Sequence, residues 1–391
     1  MEKILKNRQK GGEIYKPEIY DLSKKDEAKK FEKLLKNGVI DHVSDDYVEQ
    51  LREYFGVMNP SEVYKPTFAE KFSEYIASIQ VKQTLQSHGV WVFYPWLSTA
   101  VHVLEPSAFQ QVRTARNMNL INKEEQDKFY NSTIGIAGLS VGNSVALAIA
   151  LQGGGKHVKL ADQDTLALTN TNRVRAGIQN LGLLKVVVTA RQIYEMNPYA
   201  HVEIFPEGIT EKNIGKFFEG LDLIIDELDN LAVKFLLREH AKKNKIALLM
   251  AADNGDNAVV DIERYDLRPE MKFFHGRMGK VTYEGLKSLD KFGIGKMITK
   301  HIGAENVTER MKGSLLEMGK TIVSWPQLGG AALLNGSAVA YCARKVLNSE
   351  PLEGNRSLLS LDEKLIPNYN SKREVLKRKK SAEQFKKIFG L

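Results

Sequence analysis

The chain has 391 residues, of which 43% are hydrophobic and 27% charged, a composition that supplies a sizeable core and excludes a fibrous or disordered protein. Its single cysteine, Cys342, excludes an internal disulfide and a C-x-x-C zinc pair. The formal net charge is +8, and no run of about 18 apolar residues exists to cross a membrane.

The opening stretch MEKILKNRQKGGEIYKPEIY is charged and has no apolar centre of the signal-peptide kind, so a cytoplasmic protein is expected. Residues 1–88 read as mostly helical, over Lys24–Lys36, Asp45–Phe55 and Phe68–Leu85, with Asn37-Gly38 and Met58-Asn59-Pro60 as breaks. A hairpin follows, Gly89–Tyr94 with Ala100–Leu104. His88 and His102 lack metal-ligand spacing and read as structural.

The most informative stretch runs from Thr133 to Asn230. The apolar run Ile134–Ala137 leads into a turn with Gly138 and Gly142. A helix-like segment, Asn143–Leu151, is followed by a second apolar run, Val158–Ala161, that ends in Asp162. Strand, glycine turn, helix, strand and acid make the logic of a nucleotide-binding βαβ unit. The turn lets phosphate approach backbone N–H groups at a helix N-terminus, and the acid can accept hydrogen bonds from ribose. Asp162 lies 24 positions after Gly138, near the usual separation of about 20. The G-x-G-x-x-G pattern itself is broken, with Ser140 and Asn143 in glycine places, so a turn that only packs a helix on a sheet is the plainer reading.

Further signals follow in order: Asp162-Gln163-Asp164, Asn170-Thr171-Asn172-Arg173, Lys185, Asn197-Pro198, and an apolar strand Leu221–Ile225 that ends in Asp226-Glu227-Leu228-Asp229-Asn230. This ordered set resembles the ThiF/MoeB/HesA family of ATP-dependent adenylyltransferases, which includes the catalytic cores of ubiquitin-activating enzymes. The resemblance is collinear from about Arg113 to Asp261 and resumes near Trp325. It implies an α/β fold, Rossmann-like, with a mostly parallel sheet and flanking helices, to which the N-terminal mainly helical segment with its hairpin, read from the residues, is joined. It implies roles as well. Gly138, Ser140 and Gly142 belong to the nucleotide turn, Asp162 holds the ribose, Asp164 is a further nucleotide-binding residue, and Asn170, Arg173 and Lys185 position and neutralise phosphate. Asp229 holds Mg²⁺, and Arg116 reaches into the site of a partner subunit in a homodimer. The implied reaction is transfer of AMP from ATP to a carboxylate, on a protein or peptide C-terminus or a small acid.

Those residue types suit that chemistry. Negative charge gathers on phosphoryl oxygens, so aimed cations do most of the work. Arginine offers a planar fork and lysine a mobile point charge, and Mg²⁺ takes one or two carboxylates with phosphate oxygens and water. The attacking carboxylate is already ionised at pH 7, so no general base is needed. Each residue also has a plainer reading: Arg173 and Lys185 as solvated cations, Asp164 as a turn residue, Asp226 as a strand cap. The absence of zinc cysteines departs from many relatives. Cys342, in the small-residue helix pattern NGSAVAYCARKVL, reads as packed rather than catalytic.

Beyond Asn230, Lys234–Asn244 reads as a helix, Ile246–Ala251 as a buried strand and Ala258–Tyr265 as a further strand. Asp253 and Asn254 sit where a loop would line an acceptor pocket. Glu284–Met318 is helical and broken by glycines, and Trp325–Gly329 leads into the helix Ala331–Leu347. Asn348–Arg356 reads as exposed. From Ser371 to Leu391 there are eight Lys or Arg against two Glu, with Val375, Leu376, Phe385, Ile388 and Phe389 as a broken apolar stripe. That tail reads as a solvated helix, or as a contact for RNA, an acidic protein or a membrane surface. The expected division is 1–110 accessory, 111–350 nucleotide-binding and 351–391 extension. Other readings stay open: an NAD- or FAD-binding redox partner, a tRNA-modifying carboxylate-activating enzyme, or a nucleotide-binding scaffold.

Overall fold

A computed structural model of the chain describes residues 13–352 and 355–391. Residues 1–12 of the charged N-terminal stretch lie outside the described residues, as do positions 353 and 354 of the stretch expected to be exposed. The chain forms two compact units, one of residues 1–126 with 190–200 and one of residues 127–189 with 201–391.

The first unit holds a four-stranded sheet in the order β1-β3-β4-β2, from β1 (Glu18–Tyr20), β2 (His42–Ser44), β3 (Val90–Tyr94) and β4 (Thr99–Val103). The β3–β4 hairpin is the one its apolar runs predict, with Val92 opposite Val101. β1 adds antiparallel and β2 parallel. Both are three residues long, too short for a period-two pattern to show in the sequence. Helix Lys25–Lys36 packs Phe31 on Tyr20, Trp91 and Phe93. Helices Tyr47–Met58 and Phe68–Gln80 bring Leu51, Phe72 and Ile79 together with Leu104. His102 is buried between the rings of Tyr47 and Trp91, with centroids 3.9 and 4.5 Å away. Its Nε2 donates to the His88 carbonyl at 2.7 Å and its Nδ1 lies 2.9 Å from Asp45 Oδ1. Both ring nitrogens are engaged, as befits a structural histidine.

The second unit is built on a seven-stranded sheet in the order β11-β10-β9-β8-β5-β6-β7. Its strands are β5 (Thr133–Ala137), β6 (His157–Ala161), β7 (His201–Phe205), β8 (Leu223–Asp226), β9 (Ala247–Asn254), β10 (Asn257–Glu263) and β11 (Arg356–Leu359). β5 to β9 are all parallel, and β10 and β11 continue antiparallel at one edge. The chain starts at β5, moves outward through β6 and β7, then returns to the other side of β5 through β8 and β9. The reversal makes a crevice at the carboxyl ends of β5, β6 and β8, where ligands of open α/β sheets bind. All four residues of β8 are buried, as expected for a parallel strand covered on both faces.

Helix Val141–Leu151 and helix Gly329–Leu347 pack together, and a small residue permits it. A Cβ on Gly336 would come within 2.7 Å of the Ser144 carbonyl oxygen. Helix Leu231–Asn244 contributes Leu236, Leu237 and Ala241 to a cluster with Phe217, Ile224 and Leu248. It is tied down by charge as well. Asp226, fully buried, accepts from Lys234 Nζ at 3.1 Å and from Arg238 Nη1 at 2.6 Å. Arg238 also pairs with Glu263 at 2.7 Å.

Residues 356–359 form β11, which is largely exposed, and Arg356 donates to both Asp261 oxygens at 2.7 and 2.6 Å. One expectation for the C-terminal end is corrected. The tail helix, Lys372–Phe389, is not a frayed solvated segment. Phe385 is buried against Val259, Ile302 and Met311. Leu376 and Ile388 of the supposed stripe face solvent, while the Phe389 side chain lies outside the described residues.

Candidate nucleotide site

The turn after β5 is shaped by what its residues cannot tolerate. Gly138 has φ +87°, and a Cβ there would collide with the Glu227 carbonyl and lie 2.8 Å from Leu228 N. Only glycine enters this left-handed region without strain. Gly142 lies in the first turn of helix Val141–Leu151, over the side chain of Glu227. Asp162, at the end of β6, braces the turn: Oδ2 accepts Leu139 N–H at 2.7 Å and Oδ1 accepts Asp164 N–H at 2.8 Å. Burial pushes the Asp162 carboxyl upward, opposed by the nearby Lys185 ammonium.

Lys185 opens helix Lys185–Met196 and is buried rather than solvated. Its Nζ stands 2.8 Å from Asp164 Oδ2 and 3.9 Å from Asp162 Oδ2. Asp164 itself is exposed, so the ammonium is held by an acid at the rim and one at the strand end.

The departures from the glycine pattern have structural uses. Ser140 Oγ accepts from Arg173 Nε at 2.8 Å. Asn143, fully buried, donates to Thr189 Oγ1 at 3.0 Å and accepts Arg175 N–H at 3.2 Å. The two residues therefore tie the turn to the loop that carries Arg173. Within that loop, Asn170 Oδ1 accepts Ala167 N–H at 3.0 Å, and the Asn170 carbonyl accepts Arg173 and Val174 N–H at 3.0 and 2.8 Å. Arg173 Nη1 adds bonds to the Thr169 carbonyl at 3.1 Å and Asn172 Oδ1 at 2.9 Å. Burial lowers its pKa, and Asp253 works against that.

Gly138, Ser140, Gly142, Asp162, Asp164, Asn170, Arg173 and Lys185 are thus brought together at the carboxyl ends of β5 and β6. Asp229 is exposed on the loop after β8, and no hydrogen bond joins it to that set. Arg116 is exposed in the short turn Ala115–Asn117 of the first unit. Of the two residues read as acceptor-pocket candidates, Asn254 is structural, bonding Asn306 O and Thr308 N at 2.6 and 3.1 Å. Asp253 is bonded to Gln327 and Asn335, and its charge is felt by Arg173. Sequence reading missed Glu227, whose Oε1 accepts Ala251 N–H at 3.0 Å. Burial drives its carboxyl well above the usual range against the pull of Lys234, and the neighbouring Asp226 and Asp253 add to the rise. As a middle residue of D-x-x-D-N, it carried no signal of its own. Among the described residues no three His, Cys, Asp or Glu side chains group as a metal site, and no helix is long and apolar enough to cross a membrane.

A glycine turn braced by a strand-end acid, with an arginine and a lysine bonded beside it, thus sits at the carboxyl ends of a Rossmann-like sheet. Residues 114–262 match the ThiF family, and the chain belongs to that family. It is 31% identical over 182 residues to the tRNA threonylcarbamoyladenosine dehydratase of Bacillus subtilis, covering 44% of this chain and 70% of that enzyme. It is 32% identical over 295 residues to the uncharacterized protein MT1398 of Mycobacterium tuberculosis, covering 74% of this chain. This chain spans only 41% of the length of that protein. The adenylyltransferase and sulfurtransferase UBA4 of Lodderomyces elongisporus is 26% identical over 140 residues, covering 34% of this chain and 31% of that protein.

Proposed function

We propose that this protein is an ATP-dependent adenylyltransferase that activates a carboxylate. A carboxylate oxygen attacks the α-phosphorus of ATP, the bond to the bridging oxygen breaks, and pyrophosphate leaves with the electron pair. The products are an acyl-adenylate and pyrophosphate. The observation that carries this reading is the placement of Arg173 and Lys185. Both are partly or wholly buried, both are cationic, and both are held at the glycine turn where a polyphosphate would lie. Cations fixed in a low-dielectric site stabilise developing phosphoryl charge far better than mobile surface ones.

Asp229 is the carboxylate assigned to Mg²⁺. Its exposure suits an ion that keeps several waters and takes its other ligands from phosphates, and the ion would neutralise phosphate charge. In a homodimer, Arg116 would serve the site of the second subunit. The substrate is a protein or peptide C-terminus or a small acid, and the setting is the cytoplasm, where ATP is plentiful. Cys342 is buried, and burial pushes its thiol up to about 11, which does not suit it to act as a nucleophile on the adenylate.

The test is ATP–pyrophosphate exchange against a panel of carboxylates. Arg173→Ala and Asp229→Ala should each lower exchange on the order of 10²- to 10³-fold. Tight NAD or FAD binding with no ATP binding would reject the reading.

A second reading places the carboxylate on RNA. The tail helix presents Lys372, Arg373, Lys377, Lys379, Lys380 and Lys387 to solvent, and one relative is named for a tRNA base. Because Phe385 is a core residue, removing the tail would disturb the fold. Lys379→Gln with Lys380→Gln is the cleaner probe. It should weaken tRNA binding and flatten its salt dependence, and salt-independent binding would count against RNA.

A further inference from the structure

Asp253 lies near the end of β9, on the same side of the sheet as the nucleotide turn, and is 5% exposed. Both of its oxygens are occupied. Oδ1 accepts from Asn335 Nδ2 at 2.5 Å and Oδ2 accepts from Gln327 Nε2 at 3.1 Å. The Gln327 carbonyl accepts from Asn172 Nδ2 at 2.8 Å, Asn172 Oδ1 accepts from Arg173 Nη1 at 2.9 Å, and Arg173 Nε reaches Ser140. An unbroken line of hydrogen bonds therefore runs from Asp253 to the glycine turn. It passes through the segment before helix Gly329–Leu347 and the loop that carries Arg173.

A buried carboxyl bonded only to neutral amides is costly to keep. An asparagine would meet one of these amides at far lower cost. What an asparagine lacks is charge; Glu227 feels the charge of Asp253 as a like charge, and Arg173 is the cation that feels it. We infer that Asp253 is a positioning residue. It anchors Gln327, and through Asn172 and its own field it sets the Arg173 guanidinium toward a bound polyphosphate. The inference rests on the adenylation reading for its chemistry, while its test does not require turnover.

The test measures binding of ATP and of AMP by calorimetry for the full chain and its variants. The unaltered protein should prefer ATP. Arg173→Ala, Asp253→Asn and Gln327→Ala should each cut that preference about tenfold while AMP affinity holds. In the Arg173→Ala background, Asp253→Asn should cost nothing more. Equal weakening of ATP and AMP would mark Asp253 as merely structural and overturn the inference. So would an unchanged preference in Asp253→Asn or in Arg173→Ala, or a full further loss in the double variant. If Asp253→Asn fails to fold, Gln327→Ala, at a half-buried loop position, carries the same expectation. A protein that shows this pattern but exchanges pyrophosphate with no carboxylate would reject adenylation and leave the positioning role standing.

Discussion

Two aspartates three positions apart, Asp226 and Asp229, should fail in opposite ways when made asparagine. Asp226 is fully buried and bonds Lys234 at 3.1 Å and Arg238 at 2.6 Å. Burial alone would raise its pKa, but the two cations outweigh burial and hold it below the usual carboxylate range. Asp226→Asn keeps the shape and removes the charge, leaving two buried cations with Glu263 as the remaining partner of Arg238. Breaking a buried pair from one side costs about 3–5 kcal/mol. For a unit of this size that lowers Tm by roughly 10 °C. Arg238→Met added to Asp226→Asn should recover part of the loss, because the uncompensated charge goes with it. Asp229→Asn should change stability by under about 0.5 kcal/mol, as exposed sites do, yet remove Mg²⁺-dependent exchange. Differential scanning fluorimetry and pyrophosphate exchange on the same samples decide. The pH dependence is a second check. The folded carboxyl ionises below its unfolded value of about 3.9, so its contribution is complete above about pH 5 and is lost as pH falls through the depressed value. The gap between Asp226→Asn and the parent should be flat above that point and close below it. A Tm shift under about 2 °C at pH 7 would refute the reasoning, because it would show the pair to be no better than a surface one.

Two further outcomes are expected. Gly138→Ala puts a Cβ into a left-handed residue, costing about 1–2 kcal/mol. It also forces the β8 loop to shift, adding about 1–3 kcal/mol of overpacking; urea unfolding and ATP affinity should both report it. Cys342, with its thiol pushed up to about 11, should resist iodoacetamide in the native state and label only on unfolding. Cys342→Ala should leave exchange unchanged.

The parallel core was legible because its strands are continuous apolar runs bounded by Gly138, Asp162 and Asp226, and both signals are local. Lys185 illustrates what was not. Its identity is local, but its burial depends on Asp164 and Asp162 closing around it. Ser140 and Asn143 looked like losses from a glycine pattern because their partners, Arg173 and Thr189, are 33 and 46 positions away. β11 was hidden because four residues of mixed polarity acquire strand geometry only by pairing with β10. Phe385 sat in a sequence dominated by lysine, where composition argues for solvent and only tertiary packing argues for the core.

The contact between Gly336 and Ser144 has a consequence for the order of synthesis. The helix that follows the nucleotide turn is covered by one encoded about 190 residues later. At roughly 5–20 residues per second, the ribosome needs on the order of 10–40 s to deliver that cover. During that interval the turn helix is already made, and the surface destined for Gly336 is open to chaperones or to a second nascent chain. The cover of the turn helix is therefore completed late, and a product that stops before residue 329 would carry the whole glycine turn without the helix that packs on it.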